Sequence, residues 1–321
     1  MQELIEALRY LFEHSPAAWV GTMSVLGLFI GSFLNVVIHR LPIMLERDWL
    51  RDSETIVAEH RQRAAAASGA PQPEPAAAGA EAPAQRRYNL IVPRSACPKC
   101  GTLITASQNI PVVSWLLLRG RCASCRAKIP ARYPIIELVT AILSALVAWR
   151  FGFVWYTGAA LAFTWALIAA SAIDFDHQLL PDNITLPLLW AGLLLTLGPR
   201  VAEPGLPVDP RSAIIGAAAG YLSLWSIYHV FRLVTGKEGM GYGDFKLLAA
   251  FGAWFGWQML LPIVLLSALA GSIVGLVLIV FRGRDHNIPM PYGPFLAAAG
   301  WIVLMWGDEL VGTYLHWRGL R

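Results

Sequence analysis

Apolar residues in this chain gather into long uninterrupted runs, separated by short polar stretches. Eight runs stand out, at 17–39, 133–151, 153–173, 183–198, 212–234, 246–258, 260–281 and 291–307. Most reach the ~20 residues needed to cross the roughly 30 Å hydrocarbon core of a bilayer as a helix. A transmembrane barrel would instead show short segments of alternating polarity. The pattern therefore predicts an all-α polytopic membrane protein with about eight transmembrane helices. The sixth run, "KLLAAFGAWFGWQ", is short for a straight span, and Pro262 just after it predicts a break. The seventh carries Ala270, Gly271, Ser272 and Gly275, residues small enough for close helix packing. The first run is too long for a cleavable signal sequence, and only Arg9 precedes it, so it reads as a retained span with its N-terminus outside the cytoplasm.

The largest polar interval is 40–132. Within it "ERDWLRDSETIVAEHRQRAAAA" reads as a short surface helix. Residues 52–87, rich in Ala, Pro and Gly, read as a flexible linker. No repeat of 20–50 residues is present. The expected division is 1–39, an N-terminal segment with the first span; 40–132, a polar domain; and 133–321, a membrane core.

Composition sharpens this. The chain is 56% hydrophobic and 14% charged, with mean hydropathy +0.53, whereas soluble domains carry about 25% charged residues. Its 13 tryptophans suit interfacial belts. The net charge of +4 does not point to nucleic acid, because 14 of the 25 Lys and Arg lie between Arg40 and Arg132. Positive charge beside spans marks the cytoplasmic side, so this loop is expected there.

All four cysteines lie in that loop, as "CPKC" (Cys97, Cys100) and "CASC" (Cys122, Cys125), with 21 residues between the pairs. Each Cys-x-x-Cys turn aims two thiolates at one point, and two such turns complete a closed tetrahedral Zn²⁺ site. Disulfides or free thiols are the alternative, and a reducing cytoplasm disfavours disulfides. Zinc held by four cysteines has no open position, so its role is structural and a metallopeptidase is excluded.

Acidic residues inside or beside apolar runs are costly and mark function. "SAIDFDHQLLPDNITLP" ends the third run and holds Asp174, Asp176 and Asp182; "GMGYGDFKLLAAF" holds Asp244 at the head of the sixth. With 40–132 cytoplasmic, counting crossings places Asp174 and Asp244 at the same, cytoplasmic face. Asp174 is the innermost of its group. Asp176, two residues on, points elsewhere on a helix. Asp182 or Asn183 suits a helix N-cap, as Asp244 alone would. His177 reads as an exposed loop residue. The glycines before Asp244 permit a sharp turn and close approach of another backbone.

At these residues the chain resembles the prepilin peptidase (type IV leader peptidase) family of membrane aspartic peptidases. The resemblance rests on "GSFLNVVIHRLP" (31–42), the two cysteine pairs, "NIPVVSWLLLRGRC" (109–122), "ARYPIIELVT" (131–140), "IDFDHQLLPD" (173–182) and "GYGDFKLLAAFGAWFG" (241–256). It implies an inner-membrane enzyme with a cytoplasmic active site and a small cytoplasmic tetracysteine zinc domain. Such an enzyme cuts the leader from type IV prepilins and type II secretion pseudopilins. It then methylates the new N-terminal amine with S-adenosylmethionine. By position Asp174 and Asp244 would be catalytic, and Cys97, Cys100, Cys122 and Cys125 would hold zinc. Membrane lipid and these substrates are the implied partners, and nucleic acid is not. The chain has no Gly-rich dinucleotide fingerprint. Asn35, His39, Arg40, Gly120 and Glu137 are the candidate methyl-donor residues, between the cysteine loop and the end of the first span. Each also has an ordinary structural reading. A peptidase-only relative is the first alternative and an ion-coupled transporter the second.

Overall fold

The computed structural model describes residues 2–68, 88–199, 207–237, 239–282 and 290–317. They form ten α-helices: α1 Gln2–His14, α2 Pro16–Ser68, α3 Val113–Leu117, α4 Arg132–Phe151, α5 Trp155–His177, α6 Asp182–Leu195, α7 Pro210–Thr235, α8 Tyr242–Phe255, α9 Leu260–Arg282 and α10 Gly293–Trp317. Among the described residues there is no β-strand, only two isolated bridges within the cysteine loop.

Six of the helices are long and apolar enough to cross a membrane: α2, α4, α5, α7, α9 and α10. α6 and α8 have 14 residues each, about 21 Å at 1.5 Å per residue. The reason for the short α8 lies in its place. Asp244, Phe245 and every residue from Leu247 to Phe255 are buried. A helix apolar all round belongs inside a bundle. α7, α6 and α10 surround it, so protein rather than lipid covers most of its surface. Aromatic rings fill the centre: Phe163 of α5 packs on Trp254 at 4.6 Å and on Phe251 at 5.8 Å. Exposed leucines at 261, 265 and 269 give α9 an apolar outer face suited to lipid.

α7 and α8 meet almost backbone to backbone. A Cβ placed on Gly252 would lie 2.1 Å from the Gly216 carbonyl oxygen. This is the close packing that the sequence reading assigned to α9. There, Gly271 and Gly275 have only side-chain neighbours at 3.6 Å, so the small residues of α9 are not a backbone-to-backbone seam.

A second correction concerns α2. The expected first span and surface helix are one continuous helix of 53 residues that passes through Pro42. Residues 52–68, expected in the flexible linker, are helical. Ala, Glu, Gln and Arg are strong helix formers, and Arg63 pairs with Glu59 one turn back at 3.5 Å. The rest of the expected linker, 69–87, lies outside the described residues.

Candidate active site

The last turn of α5 and the first turn of α8 carry the two acids. Asp174 and Asp244 are 6% and 7% exposed, respectively, and lie close enough to act on each other electrostatically. Neither is a helix cap. α8 is preceded by Gly241, and no side chain caps it; the Asp244 N–H donates to the Gly241 carbonyl at 3.2 Å. α5 ends in a left-handed residue, Gln178, whose N–H donates to the Asp174 carbonyl at 2.9 Å. The chain then turns through Leu180 into α6. Leu180 fills the space where Gly243 and Gly293 would carry side chains: a Cβ on Gly243 would lie 2.6 Å from the Leu180 Cβ. Gly243 is thus required by close approach, and that contact locks the Asp174 loop onto the start of α8.

A third segment completes the site, and the sequence reading did not single it out. "PYGP" at the head of α10 points its first free amide at the acids. The Gly293 N–H donates to Asp174 Oδ2 at 3.0 Å, and a Cβ there would lie 2.6 Å from the same oxygen. Two prolines bracketing a glycine at a helix start was the available signal. Beside it the Tyr292 hydroxyl meets Ser267 Oγ at 2.5 Å, within electrostatic reach of Asp244. Asp244 Oδ1 is buried and accepts no hydrogen bond from the described residues. A buried carboxylate oxygen of this kind is costly unless something polar meets it. Gly293→Ala is expected to displace Asp174 and cut turnover about 10²-fold, an effect of the size produced by a small misplacement of a reacting group. A steady-state assay with unchanged protein yield checks it.

Ion pairs frame the acids on both sides. Asp176 points away from Asp174 and meets Arg132 at 2.5 Å, while Arg132 also donates to the Ala172 carbonyl at 3.3 Å. Lys246 bonds both oxygens of Asp182 at 2.6 and 2.7 Å, joining α8 to α6. Asp182 is therefore a tether and not the expected N-cap; Asn183 and His177 are exposed. The pairs are partly exposed, and such pairs contribute about 0–1 kcal/mol. Asp176→Asn is accordingly expected to lower cleavage less than tenfold, which the same assay reads.

The cysteine loop is built from two matching turns. Cys97 accepts from the Gly101 N–H and Cys122 from the Arg126 N–H through their carbonyls, at 2.9 and 3.0 Å. All four sulfur atoms lie within 4.8 Å of one another, with Cys97 and Cys125 Sγ 3.8 Å apart. The thiols are free, not paired as disulfides. A tetrahedron of ~2.3 Å Zn–S bonds has edges of about 3.8 Å, so the four residues fit this metal. Hydrogen bonding to the Thr102 side chain and backbone lowers the pKa of the Cys100 thiol, and bonding to the Cys125 and Ser124 backbone lowers that of Cys122, whereas that of Cys125, beside the three other sulfurs, is raised.

Four of the five methyl-donor candidates are engaged within the chain. Asn35 donates to the Tyr133 carbonyl at 3.1 Å. Arg40, buried, donates to the Asn89 and Pro93 carbonyls at 2.9 and 2.7 Å. Glu137 pairs with neither Arg132 nor Arg40: it accepts from the Val112 N–H at 2.7 Å and so holds a valine at φ 60, a costly conformation for a β-branched residue. Gly120 (φ 64) leaves room for the Trp115 ring. His39 is exposed. These contacts clamp the cysteine loop to α2 and α4.

Two family models match the chain. The model described as "Type IV leader peptidase family" matches residues 161–276, which include both acids. That described as "Bacterial Peptidase A24 N-terminal domain" matches 25–151, which include all four cysteines. A protein of Pseudomonas aeruginosa named prepilin leader peptidase/N-methyltransferase is 51% identical over 98% of this chain and 99% of its own length. The chain belongs to the type IV leader peptidase family. Family members of the same name from Aeromonas salmonicida and Xanthomonas campestris are 52% and 41% identical, over 94% and 98% of this chain and 95% and 100% of theirs. No solved structure matches the chain. Gly293 falls beyond the residues that the family model matches.

Proposed function

We propose that this protein is a bifunctional membrane enzyme of the inner membrane. It removes the leader of type IV prepilins and type II secretion pseudopilins at the cytoplasmic face, then N-methylates the exposed residue with S-adenosylmethionine. The observation that carries the reading is the pair of buried carboxylates, one from each of two helix ends, facing one site. The catalytic residues are Asp174 and Asp244.

The pair holds one proton between its two carboxyl groups, since two adjacent carboxylates do not both ionise cheaply. The ionised partner takes a proton from a water molecule, which attacks the scissile carbonyl. The protonated partner gives its proton to the carbonyl oxygen as the tetrahedral species forms, and the partner that took the proton of water passes it to the leaving amine. Gly293 fixes one oxygen of Asp174, while Asp244 Oδ1 is buried without a hydrogen-bond partner among the described residues, so an entering water or substrate amide would satisfy it. No acyl-enzyme forms, because water is the nucleophile and the chain has no Gly-x-Ser-x-Gly elbow.

The Arg132–Asp176 contact supports placing the acids at the cytoplasmic face, because it joins the end of the cysteine loop directly to the end of α5. Counting α6 and α8 as short crossings gives eight and returns both acids to that face. Cys97, Cys100, Cys122 and Cys125 hold a structural zinc ion that folds the loop. Cleavage must precede methylation, because it creates the amine; a free α-amine, with pKa about 7.7–8, is partly neutral at working pH.

One experiment tests both activities. The purified protein is incubated with a prepilin, with and without S-adenosylmethionine, and the products are weighed. The expected product is a mature chain, heavier by one methyl group only when the donor is present. A mature but unmethylated chain in both tubes marks a peptidase-only relative, and an uncut prepilin refutes the proposal.

A further inference from the structure

An apolar groove of about 600 Å³ lies between α2, α5 and α6. α5 is its floor, and α2 and α6 form the walls, each packed on α5. The floor is a strip of methyl groups: Ala159, Ala162, Ala166 and Ala169 all line it, spaced three and four residues apart on one helix face. Leu34 lines one wall and Ile184 the other. The walls rise from the apolar part of the spans, so the groove opens sideways at the depth of lipid chains.

The ends of the groove define what it suits. Its far end is at Trp155, the first residue of α5. Its near end is at Ala169 and Asn183. Ala169 precedes Asp174 by five residues, about 7.5 Å of helix rise. Asn183 follows Asp182, which Lys246 ties to the helix carrying Asp244. From Trp155 to Ala169 the groove runs about 21 Å, the length of a four-turn helix. Small residues on its floor let a helix backbone come close, as they do wherever membrane helices associate tightly. The near end of the groove therefore stops about one and a half turns of α5 short of Asp174.

We infer that this groove holds the apolar helix of the substrate and carries the bond at that helix's cytoplasmic end over Asp174 and Asp244. The inference rests on the peptidase reading above. It assigns substrate selection to α5 and α6: a chain enters sideways from the bilayer, its apolar helix is bound along the methyl strip, and only the peptide at its end reaches the acids.

Ala162 is exposed on the floor, so Ala162→Trp fills the groove without invading the core. Two substrates are compared in one bilayer preparation: a full prepilin, and a soluble peptide that spans the cut and lacks the apolar helix. The ratio of their kcat/KM values is expected to fall at least tenfold in Ala162→Trp. It should stay constant in Ile214→Trp, on the outward face of α7 where residue 214 is 62% exposed. A ratio unchanged in Ala162→Trp overturns the inference. In parallel, a benzoylphenylalanine photocrosslinker at position 162 of an Asp244→Asn chain is expected to capture the apolar segment of the prepilin. Adducts to phospholipid alone would make the groove a lipid site and overturn the inference; the crosslink decides if the peptide is not cut or the variant fails to fold. If the unmodified protein cuts neither substrate, the peptidase reading itself fails, and the groove assignment with it.

Discussion

Asp174→Asn and Asp244→Asn are each expected to reduce prepilin cleavage about 10³-fold or more, while both variants insert and purify like the parent. The magnitude follows from the chemistry. A positioned acid or base contributes about 10²–10⁴-fold, and an amide can neither take the proton of water nor return it to the leaving amine. Insertion is preserved because Asn has the size and polarity of Asp and keeps an oxygen for the Gly293 amide at position 174. The double variant should be no worse than either single one, since two members of one proton relay do not contribute additively. Steady-state cleavage of a purified prepilin, with circular dichroism to verify the fold, decides the matter. Normal processing by either single variant removes the pair from the mechanism.

The sequence carried this site unevenly, for physical reasons. Asp174 and Asp244 were legible because a carboxylate beside an apolar run costs energy and needs a purpose. The cysteines were legible as a cluster because two Cys-x-x-Cys turns have the spacing that metal geometry favours. The span positions were legible from hydropathy, which registers how long a run is. Whether a run faces lipid or protein is a tertiary fact, so α8 read as a weak span although it is the most enclosed helix in the bundle. Gly293 escaped notice because its contribution is a backbone N–H, to which only the flanking prolines at the helix start pointed. Asp182 was misjudged for a related reason: an acid at a helix start suits a cap, and only the fold brings Lys246, 64 positions away, to claim it. Asn35, Arg40 and Glu137 stood out correctly as polar groups in apolar surroundings. Their partners are backbone groups of the cysteine loop and its flanks, again invisible to a pattern of side chains.

Those contacts lead to the second large effect, which concerns the metal. Stripping zinc with a strong chelator, or replacing Cys97 and Cys122 by Ser, is expected to unfold the segment from Cys97 to Lys128 and reduce N-methylation at least ~10²-fold. The segment has little core of its own: the five-residue α3, two isolated bridges and turn hydrogen bonds shape it. Zinc bound by comparable small folds supplies about 10–16 kcal/mol of apparent free energy, far more than such turns contribute. With the metal gone, four thiols within 4.8 Å of one another lose the charge that holds them together. Val112, at φ 60, is then held by the Glu137 carboxylate at its N–H and by the Leu116 N–H at its carbonyl. Arg40 also loses the ordered carbonyls of Asn89 and Pro93 that it bridges to α2. Cleavage should fall less than tenfold, because α5, α8 and the start of α10 build the acid pair without the loop. Metal analysis should return one zinc ion per chain before treatment. Hydrogen exchange should then show protection lost across residues 97–128 and kept in α8. Methylation that persists in a protein shown to be zinc-free would separate the loop from the transfer step, and unchanged exchange protection would separate the metal from the folding of the loop.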